Sequence, residues 1–193
     1  PTWFRITAAG EIEGAEDVKP LYVTELGDCK RVPRILFEHA DLTATKKLNT
    51  DEELLTKIVM KILNVTSEFD GAVVEFGYLP MRFAFVSCVK ILQKLRAMAT
   101  GKILIVAISP AYFLRHLDYD TFAEIVDYIS LGMYDWNESP GAVAPMFWIR
   151  NTFKKLSAPV RRKTLLGMNF YGYKWATEGL INSAVAIRQT EML

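Results

Sequence analysis

The sequence has few of the residues that mark metalloproteins and disulfide-rich proteins. It holds two cysteines, Cys29 and Cys88, and two histidines, His39 and His116, among 193 residues. Two cysteines do not make a disulfide framework, and none of these four residues stands at metal-ligand spacing. We therefore expect neither a metal ion nor a cofactor, and we expect surface or packing roles for the histidines.

Strong charge of one sign and long hydrophobic runs are also missing. The formal net charge is +1, whereas a nucleic acid or an anionic membrane calls for a strongly basic face. The basic runs Lys154-Lys155 and Arg161-Arg162-Lys163 are typical of solvated ends of helices or strands. No apolar run approaches the roughly 20 residues of a membrane span. The composition thus favours a soluble globular core over either of those partners.

Short apolar runs alternate along the chain with amphipathic helical stretches. The run Ile103–Ile108 is apolar on both faces, which is typical of a buried parallel strand. The predicted strands are Trp3–Ala8, Arg31–Glu38, Phe69–Gly77, Lys102–Ser109, Asp127–Tyr134 and Thr164–Tyr171. Strict alternation of strand and helix predicts a parallel α/β fold.

The helices between these strands can be placed from their caps and their periodicity. Thr50 and Glu53 form a predicted capping box for the first helix, and Thr121 and Glu124 are predicted to cap a shorter one. The other predicted helices are Arg82–Ala99, Ala144–Leu156 and Glu178–Met192.

Two parallel architectures fit this alternation. A doubly wound sheet would show a Gly-rich phosphate turn after an early strand, and Gly10 and Gly14 do not fit that pattern. A (β/α)₈ barrel of about 250 residues accommodates the six strands as strands two to seven. Residues 1–193 would then be a partial barrel domain, with about one βα unit expected before Pro1 and one strand after Leu193. Such a chain would leave two exposed sheet edges.

One strand carries an isolated carboxylate. Because side chains alternate across a strand, Gly71, Val73, Glu75 and Gly77 share one face. In a barrel the charged face belongs to the lumen, close to the C-terminal mouth where barrel active sites lie. Glu75 is therefore the first candidate site residue.

This strand resembles the signature strand of glycoside hydrolase family 18, the chitinases and chitinase-like proteins, which reads D-G-x-D-x-D-x-E. Asp70-Gly71 matches the opening pair. Val73 and Glu75 stand where the family has two inner aspartates, and Gly77 stands where it has the catalytic glutamate. The resemblance implies a barrel, and it also implies that the acid is missing.

Two further motifs extend the resemblance in the order that the family has them. Ile129–Asp135 resembles the sixth strand, which ends in a Tyr-Asp pair that contacts sugar, and Pro140–Pro145 resembles the loop after it. Leu165–Gly172 resembles the seventh strand. Within the family, the sequence looks most like the chitinase domain-containing protein 1 branch, also described as stabilin-interacting chitinase-like proteins.

The resemblance implies a catalytically inactive lectin that binds chitin-type or other amino-sugar oligosaccharide. Gly77 can supply neither the proton nor the charge that general acid catalysis needs. The branch is secreted or lysosomal, and the resemblance also implies a cell-surface scavenger-type receptor as a partner. Secretion would make Asn64, in the sequon Asn64-Val65-Thr66, a glycosylation candidate. The implied ligand-binding residues are Glu75, Tyr78, Tyr134, Asp135, Trp136, Asn169 and Tyr171.

Other interpretations remain open at this point. Glu75 could serve as a relocated acid in a working hydrolase, although it lies about 6.6 Å deeper along the strand than position 77. It could equally be a buried acid paired with an inward Arg or Tyr. Trp148 is expected in the core. A protein-interaction module that uses the helical outer face is the third function class.

Overall fold

The computed structural model describes residues 4–7, 10–14, 28–37, 47–76, 82–108, 118–136, 141–175 and 184–188. Its strands are β1 Phe4–Ile6, β2 Ile12–Glu13, β3 Arg34–Phe37, β4 Gly71–Phe76, β5 Ile103–Ile108, β6 Tyr128–Gly132, β7 Thr164–Gly167, β8 Tyr171–Trp175 and β9 Ala184–Arg188. Its helices are α1 Glu52–Val65, α2 Arg82–Met98, α3 Tyr119–Ile125, α4 Met146–Lys155 and α5 Ala158–Lys163. None of the described helices is long and apolar enough to cross a membrane.

Within the described segments, the main sheet has seven strands in the order β2-β1-β3-β4-β5-β6-β7. All neighbours from β1 to β7 are parallel, and β2 pairs antiparallel with the outer side of β1. The predicted parallel α/β barrel fold is confirmed. Within the described residues the sheet keeps two edges, β2 and β7, and the barrel is not closed.

The two faces of the sheet differ in burial, as the alternation of side chains requires. Val74, Val106 and Ile129 point to the helices and are fully buried. Val73 and Glu75, on the opposite face, are half-buried. The prediction that Glu75 lies on the inner face is therefore confirmed. The helices bury matching apolar stripes, such as Leu55, Ile58, Val59 and Ile62 on α1.

The Asp70-Gly71 pair belongs to the architecture of the sheet. The Asp70 carboxylate accepts hydrogen bonds from the Arg31 backbone N–H at 2.8 Å and from Lys30 Nζ at 3.2 Å. The Arg31 bond, followed by that of Lys30, lowers the pKa of Asp70 below its usual value. A Cβ on Gly71 would lie 1.9 Å from the Ile103 carbonyl oxygen. The opening pair of the signature strand thus sets how closely β4 and β5 approach at the end opposite the mouth.

A second polar cluster ties the beginnings of β5 and β6 together. Arg96, near the end of α2, donates to Asp127 Oδ2 at 2.7 Å and to the carbonyl oxygens of Ile125 and Lys102 at 2.8 and 3.2 Å. Asp127 also accepts from the Leu104 N–H at 2.8 Å. Burial raises the pKa of Asp127, but the hydrogen bonds from Arg96 and Leu104 outweigh it, and the pKa falls below its usual value.

The predicted caps are wrong by a few residues. Asp51, not Thr50, caps α1 by accepting from the Leu54 N–H at 2.9 Å, and the Thr50 hydroxyl donates to the Lys47 carbonyl. The carboxylate of Asp51 competes successfully because aspartate ranks above threonine as a cap.

The cap of α3 differs in the same way. Asp118 caps this helix and accepts from both the N–H and the hydroxyl of Thr121. The hydrogen bond from the Thr121 hydroxyl has the largest effect on the pKa of Asp118, followed by that from the Thr121 N–H, and both lower it. Thr121 therefore lies inside the first turn and does not begin the helix, since the helix starts at Tyr119.

The C-terminal prediction also needs correction. The predicted helix Glu178–Met192 contains instead the strand Ala184–Arg188, which pairs antiparallel with β8 in a separate two-stranded sheet. Val185 and Ile187 are β-branched and alternate with smaller or charged residues, so the strand period prevails. The predicted strand Thr164–Tyr171 ends at Gly167.

Candidate functional site

The predicted ligand-binding residues that the structure describes lie at or after the C-terminal ends of the parallel strands. Glu75 lies one residue before the end of β4, Tyr134 to Trp136 follow β6, and Asn169 and Tyr171 follow β7. Strands β6 and β7 are neighbours in the sheet, so the chain segments that leave them run side by side. In barrels this end of the sheet carries the active site.

A hydrogen bond joins these two segments. The Tyr171 hydroxyl donates to Asp135 Oδ1 at 2.5 Å. The Tyr134 and Tyr171 rings meet edge to face, with centroids 6.5 Å apart and planes at 68°. Asn169 Nδ2 donates to the Tyr171 carbonyl oxygen at 2.6 Å and so holds the backbone that carries Tyr171. The structure therefore brings together four of the predicted site residues.

Asp135 adopts a left-handed backbone conformation, with φ of 58°. Aspartate enters this region more easily than most residues, although it still costs free energy there. The turn breaks the side-chain alternation of β6 immediately after the strand. It thereby allows the Asp135 carboxylate to meet Tyr171 on the neighbouring segment.

Trp136 lies in an aromatic cluster beside this hydrogen bond. Its ring is 4.9 Å from that of Trp148 and 6.0 Å, at 88°, from that of Phe147. The backbone N–H of Trp136 donates to the Val143 carbonyl oxygen at 3.0 Å. Trp148 is buried, as predicted, whereas Trp136 and Phe147 remain 40% and 60% exposed. Sequence reasoning missed Phe147, because helical periodicity alone does not show that it flanks Trp136.

Glu75 forms an ion pair with Arg34 on the neighbouring strand β3. Arg34 pairs in register with Val73, so an arginine stands across from the valine that replaces an inner aspartate of the family pattern. The alternative of an acid paired with an inward arginine is the one that the structure shows. The sequence did not reveal which arginine, since the register of β3 on β4 was unknown.

Other predicted sites fall elsewhere. Asn64 is exposed in the last turn of α1, while Thr66 of the same sequon is buried and its hydroxyl donates to the Ile62 carbonyl at 2.8 Å. Cys88 is buried, which raises the pKa of its thiol, and Cys29 is exposed. Four residues singled out in the sequence lie outside the described residues: Gly77, Tyr78, His39 and His116.

A cavity of about 230 Å³ lies between α1, α2, β4 and β5. Its lining is mostly apolar and includes Leu95, Met98 and Ile103. It opens near the beginnings of the strands, at the opposite end of the sheet from Asp135 and Tyr171. We therefore place the candidate site by the convergence of polar groups at the strand ends and not by cavity size.

Solved structures share this fold over nearly the whole chain. The spore cortex-lytic enzyme SleL of Bacillus megaterium is 17% identical, with a TM-score of 0.75. The match covers 100% of this chain and 48% of the SleL chain. The class V chitinase of Nicotiana tobaccum is 14% identical with a TM-score of 0.76, covering 98% of this chain and 69% of its own. The fold is that of the chitinase-like barrels.

Two curated relatives come from Bacillus subtilis. YdhD, whose name describes a sporulation-specific glycosylase, is 30% identical over 148 residues, which are 68% of this chain and 35% of YdhD. A cortical fragment-lytic enzyme is 37% identical over 62 residues, which are 30% of this chain and 14% of that enzyme. The chain thus matches 35% of the length of one relative and 14% of the length of the other. No model of a known protein family matches it.

Proposed function

We propose that the chain binds an oligosaccharide, chitin-type or another amino-sugar glycan, in a degenerate chitinase-like cleft, and that it does not hydrolyse it. The observation that carries the proposal is the Tyr171–Asp135 hydrogen bond at the C-terminal ends of β6 and β7. Tyr134 and the exposed Trp136 stand beside it. Among the structures with this fold, a tobacco class V chitinase holds NAG4 and an Ostrinia furnacalis chitinase holds allosamidin.

The chemistry of this group suits a sugar. Aromatic rings offer flat apolar surface to the C–H faces of a pyranose. The Trp136 ring packs against Trp148, and its backbone N–H donates to Val143. A carboxylate such as that of Asp135 accepts hydrogen bonds from hydroxyl and amide groups. Rigid aromatic and polar groups lose little conformational entropy on binding.

The chain's residues argue against hydrolysis. In the sequence, Gly77 stands at the position of the catalytic acid and Val73 at that of an inner aspartate. General acid catalysis contributes typically 10²–10⁴-fold, and a glycine offers no proton. Glu75 is the nearest carboxylate on the strand, and it is engaged in an ion pair with Arg34.

A hydrolase with Glu75 as a relocated acid is the second candidate. The names of the two curated relatives, a glycosylase and a lytic enzyme, favour it. The resemblance to the chitinase domain-containing protein 1 branch favours the lectin instead, together with secretion or a lysosomal location and a scavenger-type receptor as partner. A protein-interaction module remains the third candidate, and its ligand would not touch the strand ends.

We expect no turnover of chitotetraose by the purified protein. The measurement is product formation followed by chromatography over a day, with a family 18 chitinase as the positive control. Gly77→Glu alone should also stay inactive, because Val73 still lacks its carboxylate. The hydrolase hypothesis would replace the lectin hypothesis if the wild type turned over chitotetraose robustly and Glu75→Gln abolished that turnover.

We expect Tyr171→Phe and Asp135→Ala each to weaken chitotetraose binding by about 5- to 20-fold, since each removes one partner of a hydrogen bond that shapes the site. Titration calorimetry measures the effect. Tyr128→Phe is the matched control, because Tyr128 is a partly exposed tyrosine at the other end of β6. If a Tyr134→Ala/Asp135→Ala double variant kept the wild-type affinity, the ligand would have to bind outside this cleft.

A further inference from the structure

The cavity between α1, α2, β4 and β5 lies at the opposite end of the sheet from Asp135 and Tyr171. Its volume is about 230 Å³. Apolar cavities of about 150 Å³ take up benzene, so this one has room for an apolar group of about six to eight carbons. Its inner wall consists of apolar residues that are buried in the core: Ile62, Ala72, Leu95 and Leu104.

The exposed lining residues show where the cavity opens. Ser67 follows the end of α1, while Met98 is the last residue of α2 and Thr100 lies just beyond it. Both helices therefore end at the mouth of the cavity, and a ligand can enter there without separating β4 from β5.

Two polar groups of the lining are already satisfied by the fold. The Thr66 hydroxyl is buried and donates to the Ile62 carbonyl oxygen at 2.8 Å. Arg96 donates to Asp127 Oδ2 at 2.7 Å, which balances its charge, and to two backbone carbonyl oxygens. The body of a ligand that fills the cavity is therefore apolar, because a polar group there would lose its water without gaining a hydrogen bond.

Lys102 differs from these two groups. It lines the cavity one residue before β5 and is half-buried. Its ammonium donates to the carbonyl oxygens of Ser67, at 3.0 Å, and of Phe69. Both acceptors are neutral, and the ion pairs among the described residues belong to other cations. An ammonium has three N–H donors, so one donor and an unbalanced positive charge remain for a ligand.

We propose that the cavity binds a small monocarboxylate with an apolar body, of the chemical class of the medium-chain fatty acids. The apolar body lies between the ends of α1 and α2, against Leu95 and Leu104, and the carboxylate accepts from Lys102 Nζ. A charge-assisted hydrogen bond of this kind is roughly twice as strong as one between neutral groups. The site goes beyond the proposed function and is independent of it, since it shares no residue with the group at the strand ends.

Ligands with the same apolar body and different charge test the proposal in titration calorimetry at pH 7: octanoate, 1-octanol and octylammonium. The wild type should bind octanoate about tenfold more tightly than 1-octanol, and octylammonium more weakly than either, because its cation meets that of Lys102. Butyrate has four methylene groups fewer and should bind at least about 100-fold more weakly than octanoate. At about ten times its dissociation constant, octanoate should raise the Tm by about 3–6 °C.

Two variants separate the effect of the charge from that of the space. Lys102→Met keeps an apolar stem and should weaken octanoate binding about tenfold while changing 1-octanol binding by less than about twofold. Lys154→Met, at an exposed lysine of α4, is its matched control. Ala99→Leu places extra carbons in the cavity and should weaken the binding of both ligands by at least about tenfold. Its matched control is Ala97→Leu, at an exposed position of α2.

The inference is overturned if the wild type does not bind octanoate, or if it binds octanoate and 1-octanol equally well. A preference for octanoate that is unchanged in Lys102→Met overturns it too, and so does octanoate binding that Ala99→Leu leaves as it is. Should Lys102→Met fail to fold in a thermal melt, the wild-type preference and the comparison of Ala99→Leu with Ala97→Leu decide the question. None of these results bears on glycan binding, which concerns the other end of the sheet.

Discussion

Gly71→Ala should destabilise the protein by about 3–5 kcal/mol, which is at the upper end for a single substitution. The added Cβ would lie 1.9 Å from the Ile103 carbonyl oxygen, where no rotamer change can relieve the contact because both partners are backbone. Strands β4 and β5 would have to separate at this end, and the hydrogen bond from the Ile103 N–H to the Asp70 carbonyl would lengthen.

Denaturant unfolding followed by circular dichroism measures this effect. Gly101→Ala is the control, since Gly101 has a φ of +80° and open space around the position of its Cβ. That substitution should cost only the strain of a left-handed alanine, about 1–2 kcal/mol. Equal losses in the two variants would show that the close approach of β4 and β5 does not limit stability.

Arg96→Met should cost about 2–3 kcal/mol. The substitution keeps the apolar stem and removes the three hydrogen bonds that Arg96 donates to Asp127, Ile125 and Lys102. Asp127 would then stay partly buried. Among the described residues, the Leu104 N–H would still donate a hydrogen bond to it. Arg162→Met, at an exposed position of α5, is the matched control and should change the free energy of unfolding by less than about 0.5 kcal/mol.

The loss should depend on pH with a defined sign. Because the pKa of Asp127 in the folded protein lies below its ordinary value of 3.8, its ionised form contributes stability above about that pH. This contribution disappears as the pH falls through the folded pKa. The difference between wild type and Arg96→Met should therefore be largest near neutral pH and shrink below pH 4. A difference that is constant from pH 7 to pH 3 would contradict the role of the ion pair.

Much of this fold could be predicted because parallel strands carry a strong local signal. Ile103–Ile108 is apolar at every position, and it forms β5 within the predicted boundaries. Glu75 could be placed on the inner face from alternation alone. The caps could not be placed as well. Asp51, one residue after Thr50, accepts from the Leu54 N–H, and Asp118, three residues before Thr121, accepts from the N–H of Thr121 itself.

The site could be predicted less completely than the fold. Tyr134, Asp135 and Tyr171 were recognisable from motifs, yet their mutual contact depends on the left-handed turn at Asp135, which no sequence pattern indicated. The sequence did not single out Arg34, because its ion pair with Glu75 depends on the register between β3 and β4. Long-range register and side-chain packing are set by tertiary contacts, which local propensity does not encode.

The spatial order of the parallel strands repeats their order in the chain. During synthesis each new strand therefore finds its partner already folded beside it, and the long loops between parallel strands are closed one at a time. Strand β7 is the last of the parallel series, and Tyr171 is synthesised 36 residues after Asp135. The Tyr171–Asp135 bond therefore forms only when β7 docks on β6, so that this contact at the strand ends is completed after the rest of the parallel sheet.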